Sequence, residues 1–250
     1  MLHDRERLRF ELMQRLGRLI YPRYRHSWYQ FEWWDHKEFN DYLDRFGERN
    51  GLNDDRRWMV AQLMRLVEAV PGDTAECGVY QGAGSFLIST VNANGPMKRE
   101  HHIFDSFAGL SQPETTDGNH WTQGDLCCGL EQVKRALEDF KGVSYYKGWI
   151  PERFPEVADR TFSFVHIDVD LEQPTRDSLE FFYPRMSEGG ILVCDDYGYS
   201  TCPGATTSID DYLSDKAERM LALSRGGGFL IKGVPTAESC FPALQPSCRP

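Results

Sequence analysis

From Asp73 onward, short apolar segments alternate with stretches of helical spacing, and this alternation restricts the fold more than any other feature of the chain. Strands that alternate with amphipathic helices build βαβ units and a mostly parallel sheet. The strands predicted are residues 74–78, 102–105, 143–146, 162–168 and 190–194, with helices over 85–91, 130–140 and 175–186, the last closing at Gly189-Gly190. Residues 218–224 and 228–234 flank a Gly226-Gly227 turn and read as an antiparallel hairpin. The fold class is therefore α/β, a doubly wound, Rossmann-like sheet finished by an antiparallel hairpin.

Ahead of the sheet the pattern is helical. Leu8, Leu12, Leu16 and Leu19 recur at helical spacing until Pro22, and Asn53 is placed as an N-cap for a second helix carrying Met59, Val60, Leu63, Met64 and Val67 up to Pro71-Gly72. Between them Tyr24, Trp28, Tyr29, Phe31, Trp33 and Trp34 crowd among Arg and His, which suits a lid, a subunit contact or packing of the extension on its own core. The organisation expected is a helical, aromatic extension over 1–70, a sheet domain over 71–236 and a tail over 237–250.

A formal charge of -10 opposes binding to nucleic acid, whose affinity rests on Lys and Arg neutralising phosphates, and favours a divalent cation. The first ten residues lack an apolar signal core and no apolar run approaches bilayer length, so a cytoplasmic protein without a membrane partner is expected. The seven cysteines, including the vicinal pair Cys127-Cys128, are expected as reduced thiols, a Cys240–Cys248 bridge being the less favoured alternative. The aromatic extension allows a homo-oligomer.

Three places can bind a nucleoside. Glu76-Cys77-Gly78-Val79-Tyr80-Gln81-Gly82-Ala83-Gly84-Ser85 sits where the first strand turns into a helix, and ligands of open α/β sheets bind at such carboxyl ends. It departs from GxGxxG, and Glu76 disfavours a pyrophosphate while suiting a ligand with an ammonium group. Asp105, followed by Ser106, ends the second strand where a carboxylate can accept from ribose hydroxyls. Gly148-Trp149 ends the third, where an indole can cover an adenine.

The most specific signal is a pair of acidic clusters: His166-Ile167-Asp168-Val169-Asp170, and Cys194-Asp195-Asp196-Tyr197-Gly198. If the segment stays extended, Asp168 and Asp170 face one cleft, and Asp195 and Asp196 join them from the neighbouring strand. Four carboxylates there repel unless a cation lies among them, and oxygen donors select a hard ion such as Mg²⁺. The competing reading makes Asp-Asp and Asp-Tyr-Gly simple turn residues. In the polar loop 115–125, His120 is a reserve base.

These stretches, with Phe104-Asp105-Ser106-Phe107-Ala108-Gly109-Leu110 and Tyr146-Lys147-Gly148-Trp149, resemble the macrocin and mycinamicin sugar O-methyltransferases and their novobiocin-pathway relative. The resemblance runs through most of residues 73–212 and implies a class I methyltransferase sheet that uses S-adenosylmethionine (SAM) and Mg²⁺. It implies Asp168, Asp195 and Asp196 as metal ligands, Asp170 as general base with Asp168 beside it at the chemistry, and Glu76 and Asp105 as SAM contacts. Gly78, Tyr80, Gly82, Ser85, Ser106, Gly148 and Trp149 complete the implied cofactor site. The implied acceptor is a hydroxyl of a sugar-containing small molecule. Glu172-Gln173-Pro174 departs from the family pattern and puts a charge near the acceptor. An NAD-dependent oxidoreductase using Asp105, and a methyltransferase-like binding subunit without catalysis, are the competing functions.

Overall fold

The computed structural model describes residues 2–22, 31–49, 51 and 53–237, and the chain divides into two compact units at Arg49/Asn50. Tyr24, Trp28, Tyr29, Cys240 and Cys248 lie outside the described residues.

The first unit contains α1 (Leu2–Ile20) and α2 (Lys37–Phe46). The predicted leucine stripe of α1 is present, and Leu8, Leu12, Leu16 and Leu19 are exposed. Helix α2 was not foreseen within the aromatic stretch. His36 caps it by accepting from Phe39 N at 3.3 Å, and Gly47 ends it in the left-handed region at φ 69°. Its Phe39 packs edge-on against Trp33 at 5.7 Å.

The second unit begins with α3 (Asp54–Leu66), which packs on α4 and the sheet, so the boundary lies ahead of it and not near residue 70. Asn53 does not cap α3 through its side chain, because its Oδ1 accepts from the Arg56 guanidinium instead. The parallel strands are β1 (Asp73–Cys77), β2 (His101–Asp105), β3 (Val143–Lys147), β4 (Phe162–Ile167) and β5 (Met186–Cys194). Between them run α4 (Ala83–Asn94), α5 (Leu130–Ala136) and α6 (Glu172–Phe182); α7 (Pro203–Leu213) follows β5. The hairpin is β6 (Leu221–Ala222) and β7 (Gly228–Ile231), shorter than expected. Sheet order is β3-β2-β1-β4-β5-β7-β6, with β7 antiparallel to both β5 and β6.

One expected helix is corrected here. The segment 175–186 gives way after Phe182, Pro184 interrupts it, and β5 starts at Met186, four residues before the predicted start at 190. Gly189, at φ 80°, lies inside β5 at a register irregularity and is not a helix C-cap.

The strand period of two sorts the interior. Ala75, Cys77, Phe104, Val165, Ile167, Leu192 and Cys194 face α6 and α7, where Phe104, Phe154, Phe162 and Phe182 meet edge-on with centroids 5.0–5.8 Å apart. Their alternate neighbours face α3, α4 and α5. On that side Ile103 packs with Val133 and Leu137, but Glu76 and His166 are also buried there. A buried charge demands partners, and the two residues supply each other.

Candidate active site

Registers align three strand tips. Cys77 pairs with Ile167 and Ile167 with Cys194, so Gly78, Asp168 and Asp195 occupy equivalent next positions. The ladder continues through them, with Asp168 N donating to Cys77 O and Asp195 N to Ile167 O, each at 2.9 Å. Gly78 has φ 78°, and a Cβ there would stand 1.9 Å from Asp168 O, so only glycine lets the β1 turn lie against the tip of β4.

Around that turn most of the expected nucleoside residues come together. Asp105, at the end of β2, accepts from Val79 N at 2.8 Å and Phe107 N at 2.6 Å, which ties the glycine loop to the β2 turn. Burial pushes its carboxyl up, and the backbone N–H groups only partly counter that. Gly148 N donates to Asp105 O at 3.0 Å and brings in the β3 tip with the half-exposed Trp149. Tyr80, at φ 44°, is exposed on the β1 turn, Gly82 opens α4, and Ser106 braces its own turn by donating to Gly109 O.

Glu76 and Ser85 lie beneath this surface. Glu76 Oε1 meets His166 Nδ1 at 2.8 Å, its Oε2 accepts from Ser85 Oγ, and Ser85 Oγ lies 3.1 Å from His101 Nε2. Both side chains are buried and spent on this network. Burial alone would lower the His166 imidazole, but the nearby Asp195 and Glu76 carboxylates lift it to about 10. Ser85→Ala is expected to cost about 1–3 kcal/mol by leaving one Glu76 oxygen unmatched in the interior, as read by urea denaturation. A change below half of that range would show that Ser85 is dispensable to the network.

The four aspartates form two adjoining clusters. Asp168 and Asp195 point to the α3 side with His166, whereas Asp196 points to the opposite side with Asp170 and Cys202; in each trio the ligand atoms lie within 4.8 Å. Strand alternation explains the division of Asp195 from Asp196. The expectation that Asp168 and Asp170 face the same way from an extended segment is corrected. The strand ends at Ile167, and Asp170 sits at φ 61° in a tight turn closed by Leu171 N donating to Val169 O at 2.6 Å. Left-handed backbone at a non-glycine residue costs about 1–2 kcal/mol and persists where surrounding contacts impose it. Asp196 Oδ2 imposes it by accepting from both Val169 N and Asp170 N, at 3.2 and 2.8 Å.

Charge is balanced unevenly. Arg56 Nη1 donates to Asp195 Oδ2, and Arg57 Nη1 lies 3.8 Å from Asp168 Oδ2. Burial opposes the Asp195 charge, yet Arg56 and His166 hold its carboxyl well below the usual range. Asp168, Asp170 and Asp196 move the opposite way, raised by burial and by the charges of their neighbours. Asp170 and Asp196 have no arginine or lysine within salt-bridge distance among the described residues; the Cys202 thiol lies 3.7 Å from an oxygen of each.

Arg56, Arg57 and Cys202 were not singled out in the sequence. A signal existed for the arginines, since basic residues in the first turn of a helix oppose its dipole and call for acidic partners. His120 is exposed, with its ring edge-on to Trp121 at 4.6 Å, and Trp121 Nε1 donates to Cys202 Sγ at 3.3 Å. The loop therefore reaches the acidic cluster through Trp121. Glu172 pairs with Arg176 at 3.3 Å, and its N–H donates to Asp117 Oδ1 at 2.7 Å.

A parallel sheet closed by an antiparallel β7 between β5 and β6, with an acidic β2 tip and a glycine turn at β1, defines a class I methyltransferase fold. The family model described as macrocin-O-methyltransferase (TylF) matches residues 56–219, and the chain belongs to that family. It is 32% identical over 161 residues to an 8-demethyl-8-(2,3-dimethoxy-alpha-L-rhamnosyl)-tetracenomycin-C 4'-O-methyltransferase of Streptomyces olivaceus, covering 59% of this chain and 60% of that protein. It is 28% identical over 174 residues to the demethyldecarbamoylnovobiocin O-methyltransferase of Streptomyces niveus, covering 63% of this chain and 65% of that protein. The chain thus spans under two thirds of the length of these curated relatives. Among solved structures, the O-methyltransferase NovP aligns with a TM-score of 0.60 at 27% identity over 71% of this chain and 79% of that one. The calicheamicin methyltransferase CalS11 shares the fold, with a TM-score of 0.66 at 22% identity over 90% and 93% of the two chains.

Proposed function

We propose that this protein transfers the methyl group of SAM to a hydroxyl of a sugar or sugar-bearing small molecule, with Mg²⁺ at the aspartate clusters. The observation that carries this reading is the packing of four buried or half-buried carboxylates, three with raised pKa, beside the glycine turn and Asp105. A NAD-dependent oxidoreductase would use Asp105 equally well, but it has no need of the acidic clusters. A binding subunit without catalysis likewise has no need of them.

The donor set fits a hard cation. Asp168 and Asp195 belong to one carboxylate group and Asp196 to the adjoining one, so a cation held by all three would draw the two groups together, and the uncompensated charge around Asp196 is what such an ion would neutralise. When bound, Mg²⁺ favours ionisation of an oxygen it touches, and SAM supplies an electrophilic methyl group. The protein's part is alignment and proton transfer. Asp105 and the Gly78 turn fix the nucleoside end, and Trp149 offers an aromatic face. Asp170 takes the hydroxyl proton on its carboxylate. The turn held by Asp196 keeps it aimed. No helix among the described residues is long and apolar enough to cross a membrane.

The test is methyl transfer from radiolabelled SAM to a panel of deoxysugar-bearing acceptors, among them demethyldecarbamoylnovobiocin and mycinamicin III. Label in an O-methyl product is expected for at least one acceptor. Tight SAM binding with no transfer to any of them would favour the binding-subunit reading, and preference for NAD over SAM would favour the oxidoreductase.

A further inference from the structure

Two adjacent arginines open α3, and one of them occupies a carboxylate that a cation would need. Arg56 Nη1 donates to Asp195 Oδ2 and, at 3.2 Å, to Asp195 O, while Nη2 donates to Asn53 Oδ1. The guanidinium carbon lies 5.2 Å from the centre of the Tyr199 ring, and the Tyr199 hydroxyl is fixed by donating to Arg225 O at 2.8 Å. The other Asp195 oxygen faces His166 Nε2 at 3.6 Å. Arg56 thus takes one Asp195 oxygen, and the His166 ring stands near the other. Arg56 Nε, by contrast, is buried without a hydrogen-bond acceptor among the described residues, so the side chain is held mainly from its two terminal nitrogens.

Resting on the cation reading above, we infer that Arg56 is a resident counter-ion that competes with the divalent cation for Asp195. It holds the acidic strand tips together when no cation is bound, and it withdraws from Asp195 Oδ2 when one arrives. Asn53 and Tyr199 form the other side of its seat. A positive charge at this distance works against the cation and a positive charge that leaves carries its own stabilisation away, so Arg56 sets cation affinity as well as metal-free stability.

The experiment titrates Mn²⁺ into the purified full chain and follows free Mn²⁺ by electron paramagnetic resonance for wild type, Arg56→Met, Arg56→Lys and Tyr199→Leu. Arg56→Met should bind Mn²⁺ about tenfold more tightly or better, while Arg56→Lys, which keeps the charge, stays within about threefold of wild type. The metal-free Arg56→Met protein should also melt at a lower temperature and regain more on Mn²⁺ addition. A merely structural role would lower the melting temperature with no gain in affinity. Folded Arg56→Met with unchanged or weaker Mn²⁺ binding overturns the inference. If that variant does not fold, Tyr199→Leu decides: a smaller gain in affinity upholds the inference and none overturns it. Absence of Mn²⁺ binding in every protein, wild type included, removes the cation reading and this inference together. Binding that ignores residue 56 removes the inference alone.

Discussion

Replacing Gly78 with alanine is expected to cost roughly 3–5 kcal/mol of stability and to abolish SAM binding. Two costs add. The backbone is in the left-handed region at φ 78°, and the new methyl would stand 1.9 Å from Asp168 O and 2.8 Å from Asp168 C. Neither atom can step aside, because Asp168 N is bonded to Cys77 O in the ladder between β1 and β4. The overlap must push the two strand tips apart, and with them the loop that Asp105 ties down. Gly124→Ala separates the costs, since it has φ 87° with nothing within 4 Å of the added Cβ. It should lose only about 1–2 kcal/mol, the backbone part. Urea denaturation of both variants checks this; equal losses would mean that contact with β4 is unimportant.

Asp196→Asn is expected to lower turnover on the order of 10³-fold while leaving the fold and SAM affinity close to wild type. The amide oxygen can still accept from Val169 N and Asp170 N, so the Asp170 turn survives, but the charge offered to a cation is gone. Asp196→Ala removes the acceptor too and should lose about 1–3 kcal/mol as well, because two buried N–H groups are left unmatched. Calorimetry with SAM, thermal melts and initial rates distinguish the variants. An Asp196→Asn enzyme within tenfold of wild type would show that the carboxylate serves only as a turn acceptor.

The sheet was legible because buried strands are written as apolar runs with turn residues at their ends, and all five parallel strands fall where those runs lie. The order of the tips followed from β4 and β5 being neighbours. Two helices escaped notice for opposite reasons: α2 lies in a segment dominated by aromatics, and α7 has small residues at many positions where apolar ones would mark a face. At the site, the residue types were legible and their orientations were not. All four aspartates were expected in one cleft, but alternation along the chain separates Asp195 from Asp196, and after Ile167 a tight turn moves Asp170 to the Asp196 side. Likewise the position of Glu76 after an apolar strand marked a site, but its inward turn depends on His166 and Ser85, which lie far from it in sequence or on another element. Arg56 reaches Asp195 across 139 residues, a pairing no local pattern records.

The central claim is that the aspartates at the tips of β4 and β5 make methyl transfer depend on a divalent cation. With an acceptor that yields product, S-adenosylhomocysteine release is measured after EDTA treatment and again as Mg²⁺ is restored, for wild type and for Asp168→Asn. Wild type should fall to background with EDTA and recover saturably with Mg²⁺, while Asp168→Asn should stay near background throughout. Undiminished wild-type turnover in excess EDTA would contradict the account.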